Sequence, residues 1–293
     1  MGAADIIPGV SGGTIAFITG IYEELIDTLK SINPKLLPVL FKQGPKAFWQ
    51  AMNGNFLFSL LVGIIGSFIT LAHAISYLMT SWPLLLWSFF FGLVLASALH
   101  VIRQVKIRCP LSLSMLALGT IAAFVVTIMR PAAIDPGYLA IFAAGAVAIC
   151  AMILPGISGS FILLLMGLYG FIIAAIKSLD MAVISVFVLG CATGLLSFVH
   201  VLSWLLHHYR SQTLALLTGF LIGSLNALWP WKVVTEYYRA PGREPRPLTQ
   251  SNVLPGQFES ATGDSAMLLT CIFMVVAGVG IVWLLERANG KHE

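Results

Sequence analysis

Charge is what this chain has least of. Only 28 of its 293 residues are Lys, Arg, Asp or Glu, whereas 58% are apolar and the mean hydropathy is +0.94. A soluble domain carries about a quarter of its residues as charges. The shortfall excludes a soluble enzyme, and it excludes a nucleic-acid binder, which needs a dense basic face. Cysteine is scarce too: Cys109, Cys150, Cys191 and Cys271 form no C-x-x-C pair. Neither a disulfide framework nor a zinc site is expected, and no cofactor is implied. A basic leader is also missing, since Met1 is followed by Asp5 with no Lys or Arg before it, so no secretory signal peptide is read.

What the chain does have is long apolar runs. A membrane-crossing helix needs about 20 mainly apolar residues. Six stretches qualify: Asn55 to Thr80, Pro83 to Ile102, Leu111 to Arg130, Met181 to Leu206, Thr213 to Trp229 and Ala266 to Glu286. Two more, Ile6 to Ile26 and Tyr138 to Ile176, are broken by Pro8-Gly9-Val10-Ser11-Gly12-Gly13 and Pro155-Gly156-Ile157-Ser158-Gly159-Ser160. Irregular backbone at membrane depth survives only where protein or a polar cavity satisfies it. Both stretches are therefore expected to be re-entrant helical hairpins with buried tips, the alternative being ordinary spans joined by a tight turn.

The two broken stretches are copies of each other. At an offset of 147, ten of the 23 positions from Ala4 to Ile26 are identical to their partners, including Pro8/Pro155, Gly9/Gly156, Ser11/Ser158, Gly12/Gly159, Gly20/Gly167 and Tyr22/Tyr169. Further on the offset becomes 127 and pairs Gly63/Gly190, His73/His200, Ser76/Ser203, Gly92/Gly219 and Ser97/Ser224. The last span of each half shows no clear identity. The chain thus reads as an all-α integral membrane protein of two repeats, 1–137 and 138–293, each a hairpin plus three spans. An odd number of crossings per repeat inverts the second copy, the plan of many transporters. The first turn has only seven residues before Pro8, so an arm upstream of Met1, or a start at an internal Met, is expected.

Basic residues set the orientation. Lys30, Lys35, Lys42, Lys46, Arg103, Lys106, Arg108, Arg210, Arg287 and Lys291 fall on one side, and the positive-inside rule makes that side, with both chain ends, cytoplasmic. Residues 232–264 then form an external loop. The connector from Asn33 to Met52 mixes Lys with Leu, Phe and Trp and reads as an interfacial amphipathic segment in contact with membrane lipids.

A glycine-rich break that opens a helix presents unpaired N–H groups and the positive end of the helix dipole, the ingredients of an anion site. Ser11, Thr14, Ser158 and Ser160 add hydroxyl donors. The competing reading is that these small residues only permit close helix packing. Neither break is followed by the Lys of a P-loop, which argues against nucleotide hydrolysis. Ionisable residues near the membrane interior are costly and become candidates by default. Asp5, Glu23, Glu24 and His73 are candidate carriers of a coupling cation, with His73 and His200 at matching positions; a solvated helix end (Glu23, Glu24), a helix cap (Asp5) and a hydrogen-bonded core histidine are the plainer readings. Asp27 belongs to the same ionisable set. Arg130 could meet an anionic head group or simply snorkel.

The string from Met1 to Thr14, MGAADIIPGVSGGT, continuing to Gly20-Ile21-Tyr22-Glu23, resembles the bacterial polyprenyl-phosphate transporter family, PopT type, long labelled a domain of unknown function; Leu154 to Tyr169 fits it too. The resemblance covers essentially the whole chain. It implies a flippase that returns undecaprenyl phosphate from the outer to the inner leaflet of the bacterial cytoplasmic membrane for reuse in envelope synthesis. By resemblance, Asp5, Pro8, Gly9, Ser11, Gly12, Gly13 and Thr14 form the substrate motif, and by internal symmetry Pro155, Gly156, Ser158, Gly159 and Ser160 do. Undecaprenyl-pyrophosphate phosphatases carry a similar P-G-x-S-R-S loop, but Gly12 and Gly159 stand where their Arg would stabilise a transferred phosphoryl group, which disfavours an enzyme. A transporter of a small soluble anion is the third reading. Inward movement of an anion opposes a negative-inside potential by about 2.3 kcal/mol per charge per 100 mV; cotransport of H⁺ or Na⁺ would offset it.

Overall fold

A computed structural model describes residues 1–2, 11–33, 36–105, 109–129, 136–238 and 246–289. The chain is helical wherever the sequence is continuously apolar: α1 (Gly12–Ile18), α2 (Tyr22–Ser31), α3 (Leu36–Ala51), α4 (Gly54–Ser81), α5 (Pro83–Gln104), α6 (Pro110–Ile128), α7 (Tyr138–Ile153), α8 (Gly159–Leu165), α9 (Tyr169–Ser178), α10 (Met181–His208), α11 (Arg210–Ser224), α12 (Pro255–Thr262) and α13 (Leu268–Asn289). Among the described residues, α4, α5, α6, α10 and α13 are long and apolar enough to cross a membrane. Large side chains such as Phe58, Ile69, Leu118, Leu189, Leu269 and Phe273 remain exposed on them, as a lipid-facing surface requires.

The expected span from Thr213 to Trp229 differs. Helix α11 begins at Arg210 and stops at Ser224, about 22 Å of helix, and residues 225–228 close in successive i→i−3 turns. Residues 232–264 also carry more structure than a loop: β1 (Lys232–Tyr238) pairs antiparallel with β2 (Arg246–Asn252), and α12 follows. The connector α3 is helical on both sides of a bend at Gly44-Pro45, with Phe41 and Trp49 exposed, as an interfacial segment would be.

Packing shows that the second broken stretch is re-entrant. Gly190 of α10 lies against Phe142 of α7, and Gly194 against Ala146, so residue numbers rise together and the two helices run parallel. The chain between them has entered and come back out on the same side. The return has two parts that the sequence reading joined into one: α8 and α9 meet at 108°. The bend is a helix stop at Gly167 (φ +72°), where the Gly167 N–H donates to Leu164 O (2.9 Å) and the Leu168 N–H to Leu163 O (3.0 Å). The same pair of bonds ends α1, from Gly20 (φ +76°) to Phe17 O and from Ile21 to Ala16 O. This cap needs a left-handed residue, which glycine supplies without steric cost.

One further contact is made twice. On the α5–α13 pair, Gly92 faces Val275 and Gly278 faces Phe89; on the α11–α6 pair, Gly219 faces Leu116 and Gly119 faces Leu216. Gly92/Gly219 and Phe89/Leu216 are both 127 residues apart, and Val275/Leu116 and Gly278/Gly119 are both 159 apart. The final span of each half is therefore equivalent in packing although its sequence hardly shows it. Around these pairs runs one buried apolar core that joins Ala16 and Phe17 of α1, Tyr22 and Ile26 of α2, Phe90 and Val94 of α5, and Leu217 and Leu221 of α11.

Candidate functional site: the paired glycine turns

Ser11 caps α1. Its backbone is extended, and its Oγ accepts the N–H of Gly13 at 3.0 Å while donating to the carbonyl of Met152 at 2.6 Å. Met152 belongs to α7, the arm that leads into the second turn. One turn along, Thr14 is wholly buried and its Oγ1 accepts the N–H of Gly156 at 2.9 Å. Tyr22 donates its hydroxyl to Ile153 O at 3.2 Å. Three side chains of the first turn region thus satisfy backbone groups that the second turn leaves open, the requirement for irregular backbone inside a membrane.

The close approach depends on two glycines. A Cβ on Gly13 would collide with the carbonyl of Ile153. Gly156 has φ +88°, and a Cβ there would lie 2.8 Å from Phe220 O and from Ser224 Oγ of α11. A side chain is excluded at Gly156 both by conformation and by space.

The two turns are not equivalent in detail. Ser158 precedes α8 as Ser11 precedes α1, yet it makes no capping bond; its hydroxyl pairs with that of Ser160 at 2.8 Å. Ser158 is buried and Ser160 exposed. The first-turn amides of α8 are without intrahelical partners by helix geometry, and the Ser158–Ser160 pair lies beside them at the open edge of the contact. Of the sequence candidates, Ser11, Gly12, Gly13, Thr14, Pro155, Gly156, Ser158, Gly159 and Ser160 come together here, whereas Asp5, Pro8, Gly9 and Arg130 lie outside the described residues. For Ser11, Gly13, Thr14 and Gly156 the geometry favours packing over ligand donation, because their polar groups already hold one turn to the other.

The candidate carriers of a coupling cation lie elsewhere. Glu23 accepts from Arg210 Nε and Nη2 at 2.9 Å, both side chains about half exposed. Glu24 accepts from Asn53 Nδ2 at 3.0 Å, and His73 is exposed on α4. Near them is a network of which the sequence reading had only Asp27 among its ionisable candidates: the wholly buried Ser203 of α10 donates to Asp27 Oδ1 (2.8 Å) and accepts from Lys30 Nζ (3.0 Å), and His207 Nε2 stands 3.7 Å from Asp27 Oδ2. It ties α2 to α10. The signal was the repeat pair Ser76/Ser203 together with an Asp and a Lys three positions apart on one helix face. Tyr22 was likewise visible as a repeat identity, but only the tertiary contact shows its partner.

Bilayer-long helices and broken backbone satisfied by protein partners define a multi-pass membrane protein. The chain belongs to the family described as VCA0040-like, undecaprenyl phosphate translocase-like, which it matches over residues 1–244. It is 46% identical over 291 residues to a protein of Vibrio cholerae serotype O1 named polyprenyl-phosphate transporter, covering 99% of this chain and 94% of that one. A Staphylococcus aureus protein of the same name is 29% identical over 248 residues, covering 78% and 83%. Both relatives are named as transporters rather than enzymes. No solved structure matches.

Proposed function

We propose that this chain moves a polyprenyl phosphate, undecaprenyl phosphate in a bacterium, from the outer to the inner leaflet of the cytoplasmic membrane by alternating access. The observation that carries the reading is the join between the turns: Thr14 and Gly156 are 142 residues apart in sequence and bonded at 2.9 Å. In this reading the head group binds at the open edge of that join, on the hydroxyls of Ser158 and Ser160 and the amides of Gly159 and Ser160, with Arg130 as a further ligand and Asp5 joining the site through the coupling cation it holds. Repeats 1–137 and 138–293 rock about the contact, and both chain ends are cytoplasmic. Cotransport of H⁺ or Na⁺ supplies the work against the membrane potential.

A lipid rather than a small soluble anion is favoured by a groove of about 670 Å³ between α4, α5 and the start of α13. Its walls are apolar side chains such as Ile75, Trp82, Leu86, Phe90 and Met274, with Thr270 the polar exception. Leu86 and Phe90 also belong to the apolar core that includes Phe17 of α1. The test is movement of a labelled polyprenyl phosphate between leaflets of liposomes containing the purified protein. Wild type should move it, and Ser158→Ala with Ser160→Ala should slow it at least about tenfold. Absence of movement by the wild type would overturn the function, and an unchanged rate in the double variant would overturn the hydroxyl role.

A further inference from the structure

Past the end of α11 lies a second cavity, of about 450 Å³, that neither the sequence motifs nor the paired turns account for. Three separate pieces wall it: Phe91 from α5, Leu225, Asn226 and Trp229 from the turns after α11, and Asn252, Leu254 and Gln257 from the β2–α12 segment. Its lining is amphipathic, with aromatic and aliphatic faces interrupted by three carboxamides. Two of these are held in place: Asn252 donates Nδ2 to both O and Oδ1 of Asn226 (2.8 Å each), and Asn226 donates to Thr127 Oγ1 at 2.7 Å. Gln257 accepts the Leu254 N–H on Oε1, which leaves its NH₂ group to donate.

A cation adjoins this cavity without lining it. Lys232, the first residue of β1, pairs in the strand register with the wall residue Asn252; its Nζ donates to the carbonyl of Ala227, the neighbour of Asn226, and stands 4.1 Å above the ring of Trp87, one helical turn before the wall residue Phe91. No described carboxylate is within ion-pair distance of it. A largely buried ammonium held by one carbonyl and an aromatic face is costly to keep unless an anion visits it. Burial pushes its pKa down to about 8, which still leaves it mostly charged at neutral pH.

Position connects the cavity to the paired turns. Gly156 is packed against Ser224, and the next residue, Leu225, is already a cavity wall. We propose that the Lys232 cavity is a first binding site for the phosphate monoester head of a prenyl phosphate, which passes from it along residues 224–226 to the Ser158–Ser160 edge. The Lys232 ammonium, turned from Ala227 O toward the cavity, and the Gln257 amide hold the phosphate oxygens, while Phe91, Trp229 and Leu254 hold the first prenyl carbons. This rests on the transport reading, and with the basic side facing the cytoplasm it places the capture site on the outer face.

The experiment is equilibrium binding of radiolabelled farnesyl phosphate to the full chain in nanodiscs, competed by farnesol, inorganic phosphate or phosphatidylglycerol, with leaflet-exchange assays on the same proteins. Wild type should bind farnesyl phosphate and resist all three competitors. Lys232→Met should weaken binding at least about tenfold, and Lys232→Arg should restore most of it. In the exchange assay Lys232→Met should raise the half-saturating lipid concentration and leave the saturated rate near wild type. Binding unchanged within twofold in Lys232→Met, or equal competition by inorganic phosphate or phosphatidylglycerol, would overturn the proposal. Because Lys232→Met replaces a buried charge with an apolar side chain of similar length, loss of fold is separable: its melting temperature should not fall. A wild type that binds in a Lys232-dependent way yet exchanges no lipid would refute the transport reading and spare the site.

Discussion

Replacing Thr14 by Val isolates the bond that joins the two turns. Valine keeps the shape of threonine and exchanges the hydroxyl for a methyl group, so little cavity opens around a side chain that is fully buried. What is lost is the acceptor of the Gly156 N–H, 2.9 Å away and itself buried. An amide left unpaired in that setting costs about 1–3 kcal/mol. At about 2–4 °C per kcal/mol for a chain approaching this size, detergent-purified Thr14→Val should melt several degrees below wild type. Hydrogen exchange adds a local reading. The amide of Gly156 should lose protection in Thr14→Val and keep it in Thr14→Ser, which retains the oxygen. If Thr14→Val melts within about a degree of wild type and Gly156 stays protected, the turns are held together by packing alone and the reasoning about satisfied backbone fails.

Other substitutions test the packing and the charges. Gly190→Ala places a methyl against the backbone of Phe142, whereas its repeat partner Gly63 has nothing within 4 Å; Gly190→Ala should lose about 1–3 kcal/mol of stability and Gly63→Ala should be neutral or gain up to about 1 kcal/mol, read as opposite shifts in melting temperature. Ser203→Ala removes the group that both donates to Asp27 and accepts from Lys30, so it should cost about 1–3 kcal/mol; Glu23→Gln, at the half-exposed Arg210 pair, should cost under about 1 kcal/mol. Lys232 makes stability depend on pH. Its folded pKa of about 8 lies below the unfolded value near 10.5, so between those values the unfolded chain binds the extra proton and stability rises with pH. Lys232→Met should therefore be more stable than wild type at pH 7, by up to about 3 kcal/mol, and the gap should close as pH climbs from 8 to 10.5; a gap that is flat across this range would show that the ammonium is not desolvated.

The membrane-spanning plan was readable because hydropathy is additive along the chain: α4, α5, α6, α10 and α13 fall where about 20 apolar residues run together. The turn at Pro155-Gly156 was readable because proline and glycine disrupt a helix whatever surrounds them. The second break, at Gly20 and Gly167, was present as a repeat identity but was not recognised, since a lone glycine in an apolar run becomes a helix stop only when the following residues turn away to pack. Likewise the equivalence of α6 and α13 rests on Gly119 and Gly278 meeting the same type of groove. Their other contacts accept many apolar side chains, so little common sequence is needed.

For Ser11 and Thr14, sequence established the residue type and the repeat position, and left two roles open, ligand donor or packing contact. The fold supplies the packing partners, because a hydroxyl bonds to whichever group is nearest, and the nearest are Met152 O and the Gly156 N–H, about 140 residues away. The same holds for the charged residues. Composition placed the whole chain in a membrane, since transfer from water depends on what the residues are. Which charges pair, as Asp27 and Lys30 do through Ser203, and which stands without a described counter-ion, as Lys232 does, depends on distances of a few ångströms that only the folded chain sets.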